Sequence, residues 1–126
     1  MKLNTLIPWI LSPAILAAAG PVGVSFKDVT AASGIAFTHN NGAFGKYYMP
    51  ETFGSGCVFF DMDGDGRQDL LLVNSTRFDG EAGRSTTSKL YRNVGGGRFA
   101  DVTKGSGLDV AIYGMGAAAG DFDNDG

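Results

Sequence analysis

The sequence is poor in the residues that crosslink small proteins or equip catalytic sites. Its 126 residues include one cysteine and one histidine. The lone Cys57 excludes a disulfide within the chain, and its apolar neighbours predict that it packs as a small hydrophobic side chain. His39 lies in a polar stretch, where we expect a surface role rather than catalysis. No general base or activated nucleophile is evident, so the residue content does not favour an enzyme.

Dense positive patches and long apolar runs are also missing. Ten basic residues are spread along the chain without clustering, which argues against nucleic-acid binding. The apolar stretch Leu3–Leu16 is too short, and too broken by prolines, to span a membrane. With a positive start and the small residues Ala17–Ala19 behind it, this stretch is typical of a secretory signal peptide. We predict a cleaved signal peptide at 1–19, a mature start at Gly20, and a secreted, periplasmic or extracellular protein.

The sequence does have a concentration of carboxylates in one short loop, Asp61–Asp69. Acids this close repel one another unless a cation lies among them. Ca²⁺ suits such a loop, because it takes about 6–8 oxygen ligands from a flexible chain. Glycines within the loop permit the turns that would direct the side chains inward. A solvated acidic turn is the alternative. The predicted ligands are the carboxylates of Asp61, Asp63, Asp65 and Asp69 and the backbone carbonyl of Arg67.

The flanks of the loop distinguish between calcium-binding architectures. An EF-hand has a helix on each side and a bidentate Glu at loop position 12. Position 12 here is Leu72, and the flanking runs Cys57–Phe60 and Leu70–Val73 are typical of short buried strands. The loop is therefore predicted to connect two strands, which excludes an EF-hand and other helical calcium loops.

Two markers in the sequence occur twice and in the same order. The start of the acidic loop returns 60 residues later, and Phe26–Thr30 returns as Phe99–Thr103. Such repetition is the signature of a repeat protein. Together the two acidic loops hold seven of the 13 acids, so metal binding would remove most of the apparent net charge of −3. The second loop stops before its positions 7 and 9, and we expect a weak site there. Its predicted ligands are Asp121, Asp123 and Asp125.

Each repeat is predicted to contain four antiparallel strands, which is the composition of a β-propeller blade. The fold class is therefore all-β. The chain is expected to hold one complete blade, the last strand of another near Phe26–Thr30, and the first strand of a third at Gly114–Gly120. Glycine and alanine are abundant where innermost strands would crowd around a central axis. The strands predicted for the complete blade are Gly54–Phe60, Leu70–Val73, Lys89–Val94 and Arg98–Thr103.

These motifs resemble a known family. The DxDxDGxxDL loop, followed by LYRNxGxGxFxDVT, looks like the FG-GAP/VCBS repeat of integrin-α-type propellers. More narrowly, residues 37–42 and 48–56 resemble the secreted cartilage-acidic-protein (UnbV/ASPIC) type. The resemblance covers roughly residues 24–126 and implies extracellular, calcium-stabilised propellers used for adhesion or binding. It does not imply a known catalytic activity. The family's metal positions fall on the ligands predicted above for the first loop.

The expected function is a secreted, calcium-binding propeller module for adhesion or ligand binding, spanning 20–126. Its calcium would be structural, and its partner an unknown protein or carbohydrate held by loops on one face. The alternative is the scaffold of a propeller enzyme, such as a polysaccharide lyase, with its active site beyond Gly126. A rod of thrombospondin-type calcium repeats fits poorly, because strands separate the loops here. We expect an N-terminal fragment that needs further blades, and a glycosylation sequon begins at Asn74.

Overall fold

Four strands form one antiparallel sheet in the computed structural model, which describes residues 23–78, 83 and 85–123. The sheet order follows the chain, so each strand pairs with the next one. The only helical elements in these ranges are α1 (Thr30–Ser33) and a single 3₁₀ turn (Met49–Thr52). This arrangement confirms the predicted all-β fold with a four-stranded blade. The strands are β1 (Cys57–Phe60), β2 (Asp69–Leu72), β3 (Lys89–Gly95) and β4 (Arg98–Asp101).

The observed strand bounds differ from the predicted ones at five ends, and the ends of β2 at Leu72 and β3 at Gly95 each differ by a single residue. β1 begins three residues later than predicted, because residues 54–56 lie outside the β1–β2 register. β2 begins at Asp69, which pairs with Phe60 and so belongs to the ladder as well as to the acidic loop. β4 ends at Asp101 because Thr103 turns its hydroxyl inward and accepts the Leu90 N–H at 3.0 Å. The hairpin between β3 and β4 carries a bulge where the register shifts.

The core lies on the two central strands. Leu70 on β2 and Leu90 and Tyr91 on β3 are buried, together with Val73 just after β2. The Tyr91 hydroxyl donates to the Ala36 carbonyl at 2.8 Å and accepts the Ala36 N–H at 3.2 Å. This pair of hydrogen bonds satisfies a buried phenol and ties the segment before β1 to the sheet.

One face of the edge strand β1 is exposed to solvent, although its apolar sequence predicts a buried strand. Cys57 is exposed, and Phe59, two residues along on the same face, is 58% exposed. The prediction that Cys57 packs as a small hydrophobic side chain is therefore wrong. The apolar run of β1 indicates a strand correctly, but burial depends on a neighbour that covers its outer face, and no described residue does so.

Residues 38–42 are held against the connector that follows β2. The Asn40 N–H donates to the Asn74 side-chain oxygen at 2.7 Å, and the Asn74 side-chain amide donates to the Thr38 carbonyl at 3.3 Å. Asn74 is only 3% exposed as a result. A glycan on this buried, doubly hydrogen-bonded amide would be incompatible with the fold, which argues against use of the sequon that begins at Asn74.

An aromatic cluster holds the residues that follow, 44–48, against the same connector. The ring of Phe78 stacks on that of Tyr113 at 4.5 Å between centroids, and it meets Phe44 and Tyr48 edge to face. The Tyr113 hydroxyl also donates to the carbonyl of Asn41. These contacts join three parts of the chain that are far apart in sequence.

The two flanking strands predicted for neighbouring blades are not formed. Residues 26–29 are irregular and Thr30 begins α1, and Gly114–Gly120 contains no strand. A strand needs a hydrogen-bonded neighbour, and beyond the Ser75–Tyr113 bridge these segments pair with nothing that the structure describes. None of the described helices has the length and apolar character of a transmembrane segment. The predicted signal peptide at 1–19 lies outside the described residues.

The second repeat nevertheless lies beside the first in matching register. Gly56 faces Gly116, 60 residues later, so closely that a Cβ on Gly56 would lie 3.1 Å from the Gly116 Cα. Farther along, residues 60–62 and 118–123 line the same cavity. Equivalent segments therefore run side by side in the same direction, as innermost strands of adjacent blades do around a shared axis.

Candidate metal centre

The acidic loop between β1 and β2 folds around the carboxylate of Asp61. One Asp61 oxygen accepts the N–H of Asp65 at 3.1 Å, and the other accepts the N–H of Gly66 at 2.7 Å. Gly64 and Gly66 adopt φ angles of 72° and 80°, which L-residues rarely tolerate. The sequence DxDGDG thus places its glycines where the chain must turn back on its first side chain.

These hydrogen bonds favour the ionised form of Asp61. The pKa of the Asp61 carboxyl is lowered, chiefly by the Gly66 N–H and less by the other N–H groups of the loop, against an opposing effect of burial. Asp61 is therefore a carboxylate in neutral solution, which is the state that a metal ligand requires.

Three carboxylates converge in the loop. Asp61, Asp63 and Asp65 each offer an oxygen within 4.8 Å of the others, with Asp61 and Asp65 half-buried and Asp63 exposed. An all-oxygen donor set suits hard cations such as Ca²⁺, Mg²⁺ or Mn²⁺ rather than zinc or copper. These residues fit a metal ion, and this part of the predicted ligand set is brought together.

Two arginines compensate the negative charge of the loop. The guanidinium of Arg67 pairs with Asp65, and its Nε donates to the Asn93 carbonyl at 2.9 Å. Arg92 on β3 lies 2.7 Å from an Asp63 oxygen and 3.8 Å from an Asp65 oxygen. The expectation that only a bound cation relieves the repulsion is therefore incomplete, because side chains already provide two positive charges.

Asp69, the last acid of the loop, is placed differently. It is fully buried, and its two oxygens accept the N–H of Met62 at 2.9 Å and the N–H of Asn93 at 2.7 Å. Asp69 thus joins the start of the loop to β3 and is not among the three converging carboxylates. Metal ligation by Asp69, and by the Arg67 carbonyl, stays a prediction.

The second acidic motif faces the first across an open cavity of about 600 Å³. Asp61 of the first motif and Asp121 and Asp123 of the second all line this cavity. Asp125 falls outside the described residues. Metal ligation by this second motif therefore stays a prediction. The cavity wall places the two motifs on the same side of the molecule.

Residues of β3 contribute to the loop in a way that the sequence did not reveal. Arg92 and Asn93 lie more than 20 residues after the loop, yet one supplies a charge and the other both accepts from Arg67 and donates to Asp69. Antiparallel pairing of β2 with β3 brings them there. The sequence does contain a clue: Arg92 and Asn93 follow Tyr91, which pairs with Leu70 directly after the loop, so an antiparallel β2–β3 pair would bring both beside the loop.

Comparison with known families supports the repeat interpretation. A family model described as an FG-GAP-like repeat matches residues 61–126, which is about half of the chain. The match begins at the first acid of the first loop and extends through the second acidic motif. It does not include residues 37–56, which carry the narrower resemblance. No curated protein and no solved structure matches the chain.

Proposed function

Because this chain belongs to the FG-GAP-like repeat family, we propose that it is a calcium-binding β-propeller module, secreted and used for adhesion or ligand binding. The observation that carries the calcium part is the convergence of three carboxylates within 4.8 Å. Asp61, Asp63 and Asp65 would hold the ion, and the Arg67 carbonyl and Asp69 would complete the coordination. Their loop closes the β1–β2 hairpin, so bound calcium would stabilise that connection rather than take part in chemistry.

Calcium is preferred over magnesium on grounds of loop shape. Mg²⁺ requires a near-octahedral site and keeps several of its waters, whereas Ca²⁺ accepts more ligands in irregular geometry. A loop of alternating carboxylates and glycines offers many oxygens without a rigid frame. Extracellular Ca²⁺ is also abundant enough to fill modest sites, since extracellular modules bind it with Kd values of about 10⁻⁴–10⁻³ M.

Secretion and partner binding rest on the sequence. The charged start, the apolar stretch and Ala17–Ala19 are the support for a cleaved signal peptide. The partner would be a protein or a carbohydrate, bound by loops on one face of the propeller. The narrower relation to the UnbV/ASPIC type is likewise a proposal, carried by residues 37–42 and 48–56. We propose a non-enzymatic role, because the metal ligands lie in one self-contained loop.

The calcium proposal is tested by thermal unfolding of the full chain in EDTA, in Ca²⁺ and in Mg²⁺. A ligand at about 100 times its Kd stabilises by about 2.7 kcal/mol, so saturating Ca²⁺ should raise the Tm by several degrees. Asp63→Asn should abolish most of that increase. Asp109→Asn removes an equal charge at an exposed position outside the loop and should retain it. Equal Tm values in Ca²⁺ and EDTA for the unsubstituted chain would refute a structural calcium.

The secretion proposal is tested separately. The protein should be recovered from the extracellular or periplasmic fraction with an N-terminal sequence that starts near Gly20. Recovery in the cytosol with Met1 intact would refute the signal peptide, and it would leave the calcium result unaffected.

A further inference from the structure

Arg92 lies on β3, outside the acidic loop, but its guanidinium reaches into the loop. One of its nitrogens is 2.7 Å from Asp63 Oδ2 and 3.8 Å from Asp65 Oδ2. A single cationic group therefore contacts two of the three carboxylates that converge in the candidate site. Because the guanidinium stays protonated at any ordinary pH, this positive charge is permanent.

Arg67 also pairs with Asp65, but it is held in place. It is a member of the loop, its N–H donates to Asp65 Oδ1 at 2.9 Å, and its Nε donates to the Asn93 carbonyl at 2.9 Å. The two side chains are similarly exposed, 46% for Arg92 and 44% for Arg67. Within the part of the chain that the structure describes, however, the Arg92 guanidinium pairs only with Asp63 and Asp65 and lacks a hydrogen bond to a backbone carbonyl like the one that Arg67 makes. Arg92 can therefore turn into solvent at small cost, whereas Arg67 cannot.

We propose that Arg92 is a built-in competitor of the metal ion, which neutralises the loop when metal is scarce and lowers its affinity for metal. The inference rests on the proposed calcium-binding function but concerns a residue outside the predicted ligand set. The three carboxylates carry three negative charges, and the two arginines offset two of them. Arg92 pairs with Asp63 and lies near Asp65, two of the carboxylates that would hold a metal, and its charge repels a divalent ion at close range.

Two consequences follow for a chain that lacks this charge. Without metal, the loop carboxylates lose a counter-ion and repel one another more strongly, so the chain should be less stable. With metal, the carboxylates are released from competition, so affinity should rise. The exposed ion pairs of Arg92 contribute little free energy, and the repulsion between its charge and a divalent ion is of similar size. For a chain without this charge we therefore expect a Kd for Ca²⁺ that is about three- to tenfold lower.

The test compares Arg92→Gln with Arg98→Gln in the full chain. Arg98, on β4, is exposed and makes no ion pair within the described residues, so its replacement removes the same charge without touching the loop. Ca²⁺ binding is measured by isothermal titration calorimetry after removal of metal with EDTA. Thermal unfolding in EDTA, followed by circular dichroism, gives a readout that does not depend on metal binding.

Arg92→Gln should bind Ca²⁺ about three- to tenfold more tightly than Arg98→Gln and should unfold at a lower temperature in EDTA. Equal or weaker Ca²⁺ binding by Arg92→Gln would overturn the inference while leaving the calcium function intact. If the unsubstituted chain takes up no Ca²⁺ but Arg92→Gln does, competition is supported. If neither takes up Ca²⁺, both proposals fail.

Discussion

Asp69 could act as a metal ligand or as a structural hydrogen-bond acceptor, and its position in the sequence does not distinguish between these two roles. It occupies the last acidic position of the loop, where a metal ligand is predicted, yet its oxygens accept the N–H groups of Met62 and Asn93. A buried charge is tolerated only when its hydrogen-bonding capacity is used. Asp69 therefore holds the loop to β3 through protein contacts alone, whatever else it binds.

Replacement of Asp69 by alanine should destabilise the chain even in EDTA. The substitution leaves two partly buried N–H donors without acceptors. Each would cost about 1–3 kcal/mol if fully buried, and partial access of water reduces this, so we expect a loss of about 2–4 kcal/mol in the free energy of unfolding. Urea denaturation in EDTA measures the loss. Asp109→Ala, at an exposed position, should change it little. Asp69 would be only a metal ligand if its variant matched Asp109→Ala in EDTA and differed from it in Ca²⁺ alone.

Sequence spacing identified the converging acids but not the environment of single residues. The DxDxDG pattern acts largely locally, because N–H groups of the loop itself orient the Asp61 and Asp65 carboxylates. The burial of Asn74 and the exposure of Cys57 depend instead on segments far away in sequence. A single sequence contains no information on which distant segment covers them.

At the scale of elements, the β3–β4 hairpin is the part that sequence predicted best. Gly95–Gly97 all have positive φ, as the glycine run indicated, and the strands on either side pair in antiparallel register. The end of β4 is closed by Asp101, whose carboxylate accepts the N–H and the hydroxyl of Thr103 and pairs with Lys89 at 2.9 Å. These polar contacts of Asp101, rather than a change in hydrophobicity, end the strand.

The Asp101 contacts make the stability of the hairpin depend on pH. The Thr103 hydroxyl, followed by the Thr103 N–H and Lys89, lowers the pKa of Asp101 from 3.8 to about 2. A lowered pKa means that the contribution is present above about pH 4 and is lost as the pH falls toward 2. Asp101 is 43% exposed, so solvent screening keeps the contribution below about 1 kcal/mol.

Asp101→Asn should therefore lower the Tm at pH 7, and the difference from the unsubstituted chain should shrink between pH 4 and pH 2. Thermal unfolding at pH 7, 4, 3 and 2 in EDTA provides the measurement. Asp109→Asn is the matched control for loss of one acid. A Tm difference for Asp101→Asn that stays constant across this range would show that the carboxylate charge is not the stabilising feature.

At the scale of the whole molecule, the repeat period is visible as a contact. Gly56 lies against Gly116, and the segments that contain the two acidic motifs share one cavity. The sequence predicted the repeat but also predicted strands in the flanking segments, and those are not formed. Side-by-side placement needs only close approach of small residues, whereas a strand also needs a hydrogen-bonding partner.

Gly114 is the residue on which this docking of the second repeat depends. Its carbonyl accepts the hydroxyls of Ser75 at 2.8 Å and Ser55 at 3.2 Å, which belong to the first repeat. A Cβ on Gly114 would lie 2.5 Å from Val73 Cγ1 and 2.7 Å from the Asn74 carbonyl oxygen. Neither atom can withdraw easily, because Val73 is in the core and Asn74 is held by hydrogen bonds.

Gly114→Ala should therefore displace residues 112–120 from the sheet and lower the free energy of unfolding by about 1–3 kcal/mol, the usual cost of overpacking. Gly120→Ala adds the same methyl group where no described atom lies within 4 Å, so it should have little effect. Amide hydrogen exchange distinguishes local from global change. Faster exchange of the Thr76 N–H, which donates to the Ile112 carbonyl at 2.9 Å, would accompany undocking. Equal stability and exchange in the two variants would mean that the second repeat does not depend on this contact.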